Sequence, residues 1–238
     1  MQKQSFKDSY MTWTILIVLF VVFLMETALG GSQNSATLVM MGGMVKSLVL
    51  VYGQWWRLFT AQFLHIGIMH LITNAVMVYY LGIYLEQILG HWRFLAIYLA
   101  SGVGGSLLSL AWSNYSVSVG ASTALFGLMG AMAAVSVRNR DNSAIVYLGK
   151  QAFWLAVINI IFDMFSNSNV LFGIGNGSKI DIAGHLGGLI TGLLLAIILG
   201  NKQFREYSNK IRVIAVCCLV IYFVYAVHTS IGLIGVGF

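Results

Sequence analysis

Two short stretches hold the residue types that could do chemistry. Gly120-Ala121-Ser122-Thr123-Ala124-Leu125-Phe126-Gly127-Leu128-Met129-Gly130 puts a serine at the opening of an apolar run built from small residues. Ala183-Gly184-His185-Leu186-Gly187-Gly188-Leu189-Ile190-Thr191-Gly192 puts a histidine at the opening of another. A serine hydroxyl becomes a useful nucleophile when a neighbouring base takes its proton, and histidine is the commonest such base. Acyl transfer also needs donors for the oxyanion that develops on the attacked carbonyl. His70 and Asn74 stand four residues apart, on one face of a helix, and can aim an imidazole and an amide at such a site. The backbone N–H of Ser122, at a helix N-terminus, is a third donor.

The elements that must position these groups follow from composition. The 238 residues are 59% hydrophobic and 8% charged, where a soluble domain carries about a quarter charged residues. The apolar runs are long and do not alternate, so the chain is expected to be an all-α polytopic membrane protein. Seven spans are expected, at 11–30, 60–83, 93–112, 121–137, 145–164, 182–200 and 211–231. The first is long enough to span and lacks a clear A-x-A cleavage site, so it reads as a span and not a signal peptide. The expected organisation is a cytoplasmic N-terminus at 1–10, a six-helix core at 11–200, and a linker with a seventh helix at 201–238. Glycines at 184, 188 and 192 form a small-xxx-small stripe that lets the histidine helix approach its partner closely. Gly127, Gly130 and Ala131 offer a matching surface on the serine helix, and together the stripes predict that Ser122 and His185 come within hydrogen-bond reach.

Orientation follows from the basic residues. With the N-terminus inside, Lys3, Lys7, Arg93, Arg138, Arg140, Lys150, Lys202, Arg205, Lys210 and Arg212 flank the inner side, against Lys46, Arg57 and Lys179 outside. Spans two, four and six then run from outside to inside. His70 precedes Glu86 by 16 residues, Ser122 precedes Arg138 by 16, and His185 precedes Lys202 by 17. At about 1.5 Å per residue each lies roughly 24–26 Å from the inner boundary, a few Å below the outer face of a core about 30 Å thick. A serine and two histidines on three different spans thus share one depth. The half-apolar connection 31–59 is expected to lie partly in the outer interface, with Trp55, Trp56 and Arg57 as anchors, and the Ser/Asn/Gly-rich 166–180 segment is expected to be mobile.

The remaining polar residues carry less. His65 is expected to face away from His70, and His91 and His228 have no company that suggests a role. Glu26 reads as a buried hydrogen-bond partner or an intramembrane charge. Asp181 is four residues before His185 and either orients it or caps the helix. Position 124 is Ala, so there is no G-x-S-x-G elbow, and there is no H-E-x-x-H. Cys217 and Cys218 are adjacent and form neither a disulfide framework nor a zinc site. Scattered basic residues argue against nucleic acid, and no cofactor or metal is called for.

In order along the chain, Gly53-Gln54-Trp55-Trp56-Arg57-Leu58-Phe59-Thr60, His65 with His70 and Asn74, Tyr80-Leu81-Gly82 with Glu86, Gly120-Ala121-Ser122, and Gly184-His185 with Gly188 and Gly192 resemble the motifs of the rhomboid intramembrane serine proteases. The resemblance covers about Gly53 to Gly200. It implies a rhomboid-like six-helix core with a seventh, C-terminal span. It implies a Ser122–His185 dyad without an essential aspartate, His70 and Asn74 at the oxyanion, and an aromatic, Phe126, under the imidazole, with Gly120 and Gly188 as supporting residues. Transmembrane protein substrates would be cut near the outer face, after entering past span five, with Phe162 and Phe165 as gate residues. A bacterial cytoplasmic membrane is the expected location. One departure stands out: Thr123 replaces the usual glycine after the serine, and a β-branched residue there is expected to crowd the cavity or compete for His185. The alternative reading is a rhomboid-like factor that binds or escorts membrane clients without cutting them.

Overall fold

The computed structural model describes residues 9–112, 117–171, 180–200 and 206–232. Six of its helices are long and apolar enough to cross a membrane: α1 (Tyr10–Ala28), α5 (Gly67–Leu89), α6 (His91–Trp112), α8 (Ser143–Leu171), α9 (Ile182–Leu199) and α10 (Asn209–Gly232). A seventh, α7 (Ser122–Arg138), is apolar but has 17 residues. Three short helices, α2 (Ser35–Met40), α3 (Lys46–Leu50) and α4 (Arg57–Thr60), lie between α1 and α5, and a 3-10 turn at Ala61–Phe63 follows them. Helices therefore lie at all seven expected positions with shifted ends, six of them long enough to span. The second begins at Gly67 rather than residue 60, because Gly67, at φ +77°, turns the chain into the helix. The fifth continues to Leu171, so 166–171 is helix, while 172–179 lies outside the described residues.

The bundle is built around α7. Every residue from Thr123 to Met132 is buried, the pattern of a helix apolar all round and enclosed by protein. At about 1.5 Å per residue its 17 residues span about 25 Å, short of a hydrocarbon core of about 30 Å. It packs most closely against α9, then against α8, α6 and α5. The approach to α9 depends on glycine: a Cβ at Gly188 would stand 1.9 Å from the Thr123 carbonyl oxygen, and one at Gly192 2.0 Å from that of Gly127. The small-residue stripe of α9 thus meets α7 backbone to backbone.

At the end of the bundle where α1 starts, Glu86 near the end of α5 accepts hydrogen bonds from the Met11 and Thr12 amides (2.9 and 2.7 Å) and from the Thr12 hydroxyl (2.6 Å). His91 Nδ1 lies 2.6 Å from Glu86 Oε1, the oxygen that the Met11 amide also reaches, and the His91 ring packs on Tyr10 at 4.2 Å. Glu86 is fully buried, so it caps α1 and is not the solvated boundary charge that the depth count took it for. His91, given no role in the sequence, completes that cap.

The α1–α5 connection is ordered by Arg57, which is buried and not an interfacial anchor. Its guanidinium donates to the carbonyls of Val39 (2.7 Å) and Gly43 (2.8 Å) and to Gln54 Oε1 (2.6 Å). A five-donor planar group can hold both ends of the 39–43 turn and Gln54 at once, which an ammonium could not do as rigidly. Trp55 and Trp56 do remain exposed. α10 docks on α6 and α9, with the Tyr222 hydroxyl donating to Gly104 O at 2.7 Å.

Candidate active site

Ser122 is the first residue of α7, and the chain reaches it through a suspended extended segment. Met44 and Ser118 exchange backbone hydrogen bonds of 3.0 and 2.8 Å, and Gly120 N–H donates to Ala61 O at 2.9 Å. Gly120 has φ +133°, and a Cβ there would sit 2.8 Å from His70 Cε1. Glycine is required two residues before the serine for both reasons. His65 does not face away, contrary to the sequence expectation. It is buried, its ring meets that of His70 edge to face at 5.1 Å, and its Nε2 accepts the Ala121 N–H at 3.4 Å. The His65 backbone N–H donates to Glu26 Oε1 at 2.9 Å, which makes Glu26 the buried hydrogen-bond partner.

Asp181 fixes the start of α9. One carboxylate oxygen caps the helix by accepting the Gly184 N–H at 2.9 Å. The other accepts from Ser118 Oγ at 2.9 Å and from Ser109 Oγ. A single carboxylate therefore joins the segment leading to Ser122 with the first turn of the histidine helix. It caps rather than orienting the imidazole.

The two halves meet. His185 Nε2 lies 2.9 Å from Ser122 Oγ, and its ring stacks on Phe126 with centroids 4.2 Å apart and planes 13° from parallel. Its other nitrogen, Nδ1, lies 2.7 Å from Asp163 Oδ2 of α8. A carboxylate only accepts, so this contact places the proton on Nδ1 and leaves the Nε2 lone pair facing the serine hydroxyl. Asp163 lies on a different span, 22 residues before the histidine, so spacing along the chain does not connect the two. The available signal was an ionisable residue inside an apolar run, on the same helix face as Ala152 and Ala156.

A cavity of about 500 Å³ opens over this pair, lined by His70, Asn74, Ser122, Asp163 and His185. Asn74 is buried, and its Nδ2 has no hydrogen-bond partner. An amide donor without an acceptor in a cavity wall is available to a group that arrives later. Thr123 lines the same cavity. Its side chain packs toward Gly105 and Gly184, and its Oγ1 is buried without a partner, while both His185 nitrogens are engaged by Asp163 and Ser122. The feared competition for His185 does not arise. Phe162 and Phe165 lie exposed on α8 and do not line the cavity; Leu155 and Asn159 are the α8 residues that do, with Asp163. Among the described residues no three His, Cys, Asp or Glu side chains gather as a metal site.

A Rhomboid domain model matches residues 52–202. The chain is 35% identical to "Rhomboid protease GluP" of Bacillus subtilis (strain 168) over 228 residues, 95% of this chain and 42% of that protein. It is 38% identical to "RHOMBOID-like protein 6, mitochondrial" of Arabidopsis thaliana over 84% of this chain and 65% of that protein. It is 29% identical to "Rhomboid-like protease 3" of Toxoplasma gondii over 89% of this chain and 76% of that protein. The chain thus spans about two fifths to two thirds of the length of the first two. One relative is mitochondrial by name, so likeness to these proteins does not carry the bacterial location expected from the sequence. With the model matching most of the chain, and the serine, histidine and glycine motifs meeting where α7 and α9 cross, the chain belongs to the rhomboid family.

Proposed function

We propose that this protein is an intramembrane serine endopeptidase that cleaves transmembrane segments of membrane proteins near the outer face of the bilayer. The observation that carries this reading is the 2.9 Å contact between Ser122 Oγ and a His185 Nε2 free to accept a proton, on the wall of a cavity of about 500 Å³.

Ser122 Oγ attacks the scissile carbonyl carbon as His185 Nε2 takes its proton, and the carbonyl π pair moves onto oxygen. That oxyanion is met by the Ser122 N–H, which has no acceptor within its helix, and by the Asn74 amide and the His70 imidazole. His185 then returns the proton to the departing nitrogen as the C–N bond breaks, leaving an acyl-serine. Water, deprotonated by the same nitrogen, hydrolyses that ester and restores the enzyme. Gly120 gives His70 room beside the serine, and Phe126 keeps the imidazole flat against α7. Gly188 permits the helix approach that sets the distance.

A helical substrate hides its peptide bonds, so a segment must unwind into the cavity before attack. The route that fits lies between α5 and α8. Both line the cavity and pack on α7, but among the described residues they meet each other narrowly, through contacts that include a Tyr80–Gln151 hydrogen bond of 2.5 Å. The charge bias of the flanks supports an inside N-terminus and, with it, a site nearer the outer face. Purified protein in liposomes with a reporter transmembrane segment tests the proposal. Wild type cuts it, and Ser122→Ala and His185→Ala each abolish the cut. Cleavage that survives Ser122→Ala overturns the mechanism, and a folded wild type that binds reporters without cutting any favours client escort.

A further inference from the structure

We propose that Asp163 is a positioning residue for the reaction, so that this enzyme works through a Ser122–His185–Asp163 relay and not through the dyad that its motifs imply. The inference rests on the protease reading above and adds a member to its site.

Three observations on α8 carry it. First, Asp163 points inward from a helix whose neighbouring side chains point out: Phe162, Met164 and Phe165 are all exposed, whereas Asp163 is 4% exposed. A carboxylate in a membrane span is costly unless paired, and the partner here is His185 Nδ1 at 2.7 Å, itself buried. Second, the helix that bears it is held at that level. Asn167, one turn further along α8, donates to Ile180 O at 2.8 Å and accepts from Ile180 N at 2.7 Å. Ile180 directly precedes the Asp181 cap of α9, so the clamp sets α8 against the start of the histidine helix. Third, Ala152 and Ala156 on the same face are buried, which lets α8 come close enough to α7 and α9 for a short side chain to reach.

The chemistry follows from the atoms. With Nδ1–H donated to the carboxylate, the imidazole is locked in the tautomer whose Nε2 accepts from Ser122, and its ring cannot rotate on the Phe126 face. When Nε2 takes the serine proton, the imidazolium gains a full charge in a site with little water. The Asp163 carboxylate, without taking the proton itself, stabilises that charge. No atom of Asp163 bonds to substrate.

Asp163→Asn is the discriminating variant. It keeps the size and the packing, but its amide can donate to Nδ1 and thereby stabilise the tautomer that places the proton on Nε2, where it cannot serve as base. The expected result is a fall in kcat of about 10²- to 10⁴-fold, with KM for a transmembrane reporter within about threefold, since no substrate contact is lost. The rate of phosphonylation of Ser122 by a fluorophosphonate, which needs no unwound segment, falls in parallel. Both rates are expressed per folded enzyme, from gel filtration and thermal unfolding. Asp163→Ala, which introduces no donor, carries the same test if the asparagine variant does not fold, and is expected to lose kcat rather than KM as well. A purely structural aspartate predicts that Asn is benign and that labelling of the folded fraction is unchanged. If Asp163→Asn keeps kcat and labelling within about threefold of wild type while Ser122→Ala abolishes both, the relay is wrong and the dyad reading stands. If wild type neither cuts nor labels, the protease reading fails, and the relay with it.

Discussion

Gly188→Ala sets helix propensity against geometry. Alanine is favoured over glycine inside a helix by about 0.8–1 kcal/mol, so propensity alone predicts a more stable α9. The structure predicts the reverse. The new Cβ would lie 1.9 Å from the Thr123 carbonyl oxygen and 2.9 Å from its carbon, both backbone atoms of α7. A close carbon–oxygen contact is about 3.3 Å, so the helices must separate there by roughly 1.4 Å, the difference between 3.3 and 1.9 Å. Thr123 directly follows Ser122, and Gly188 is one turn from His185, so little of the chain can absorb the displacement before it reaches the 2.9 Å contact between them. A separation of about 4 Å is no hydrogen bond. Misplacement by about 1 Å costs on the order of 10²-fold in rate, and overpacking costs about 1–3 kcal/mol in stability. Reporter cleavage, fluorophosphonate labelling and thermal unfolding of Gly188→Ala read both effects. Gly192→Ala, with a 2.0 Å clash one turn further from the site, is the comparison and should lose similar stability with a smaller loss of rate. If Gly188→Ala unfolds no lower than wild type and cuts within about threefold of it, the close-packed crossing is not what positions the pair.

Two further variants test the surroundings of the site. Thr123→Val replaces a buried hydroxyl without a partner by a methyl group of the same shape, so stability should be equal or higher by about 1 kcal/mol, by thermal unfolding, and cleavage should persist; loss of cleavage would show that the hydroxyl takes part. Burial, with His70 beside it, pulls the His65 imidazole from its ordinary 6.5 down to about 3, against an opposing pull from the Phe63 carbonyl. The unfolded chain therefore binds more protons than the folded one between those values. The stability is complete above 6.5 and is lost as pH falls toward 3, by roughly 1.4 kcal/mol per unit at most. His65→Gln should shrink the drop in unfolding temperature between about pH 7.5 and about pH 4.5, and an undiminished drop would place the acid sensitivity elsewhere.

Composition and apolar run length alone determined the architecture, because lipid leaves a chain this poor in charge only internally hydrogen-bonded helices. Seven helices were legible for that reason, with errors at their ends. The start of α5 was misplaced because Ala61 to Leu64 is as apolar as the helix itself, and it is the backbone turn at Gly67 that separates them. The meeting of Ser122 and His185 was legible because glycines four apart announce where two helices must touch, and the pairing of His70 with Asn74 because a spacing of four puts both on one helix face. Whether Thr123 competes for His185 was not legible, because sequence gives a residue's place on a helix but not which neighbour its side chain meets. Arg57, Glu86 and His65 were misread for a related reason: a polar residue near the end of a span can face water or fill an internal cap, and only the packed neighbours decide which. Asp163 belongs to the same class. Its distance from His185 along the chain says nothing about contact, since the two residues lie on different helices. The proximity arises only when α8 packs on α7 through its small residues and is clamped to the start of α9 at Asn167, which brings a carboxylate to the nitrogen that the serine does not use.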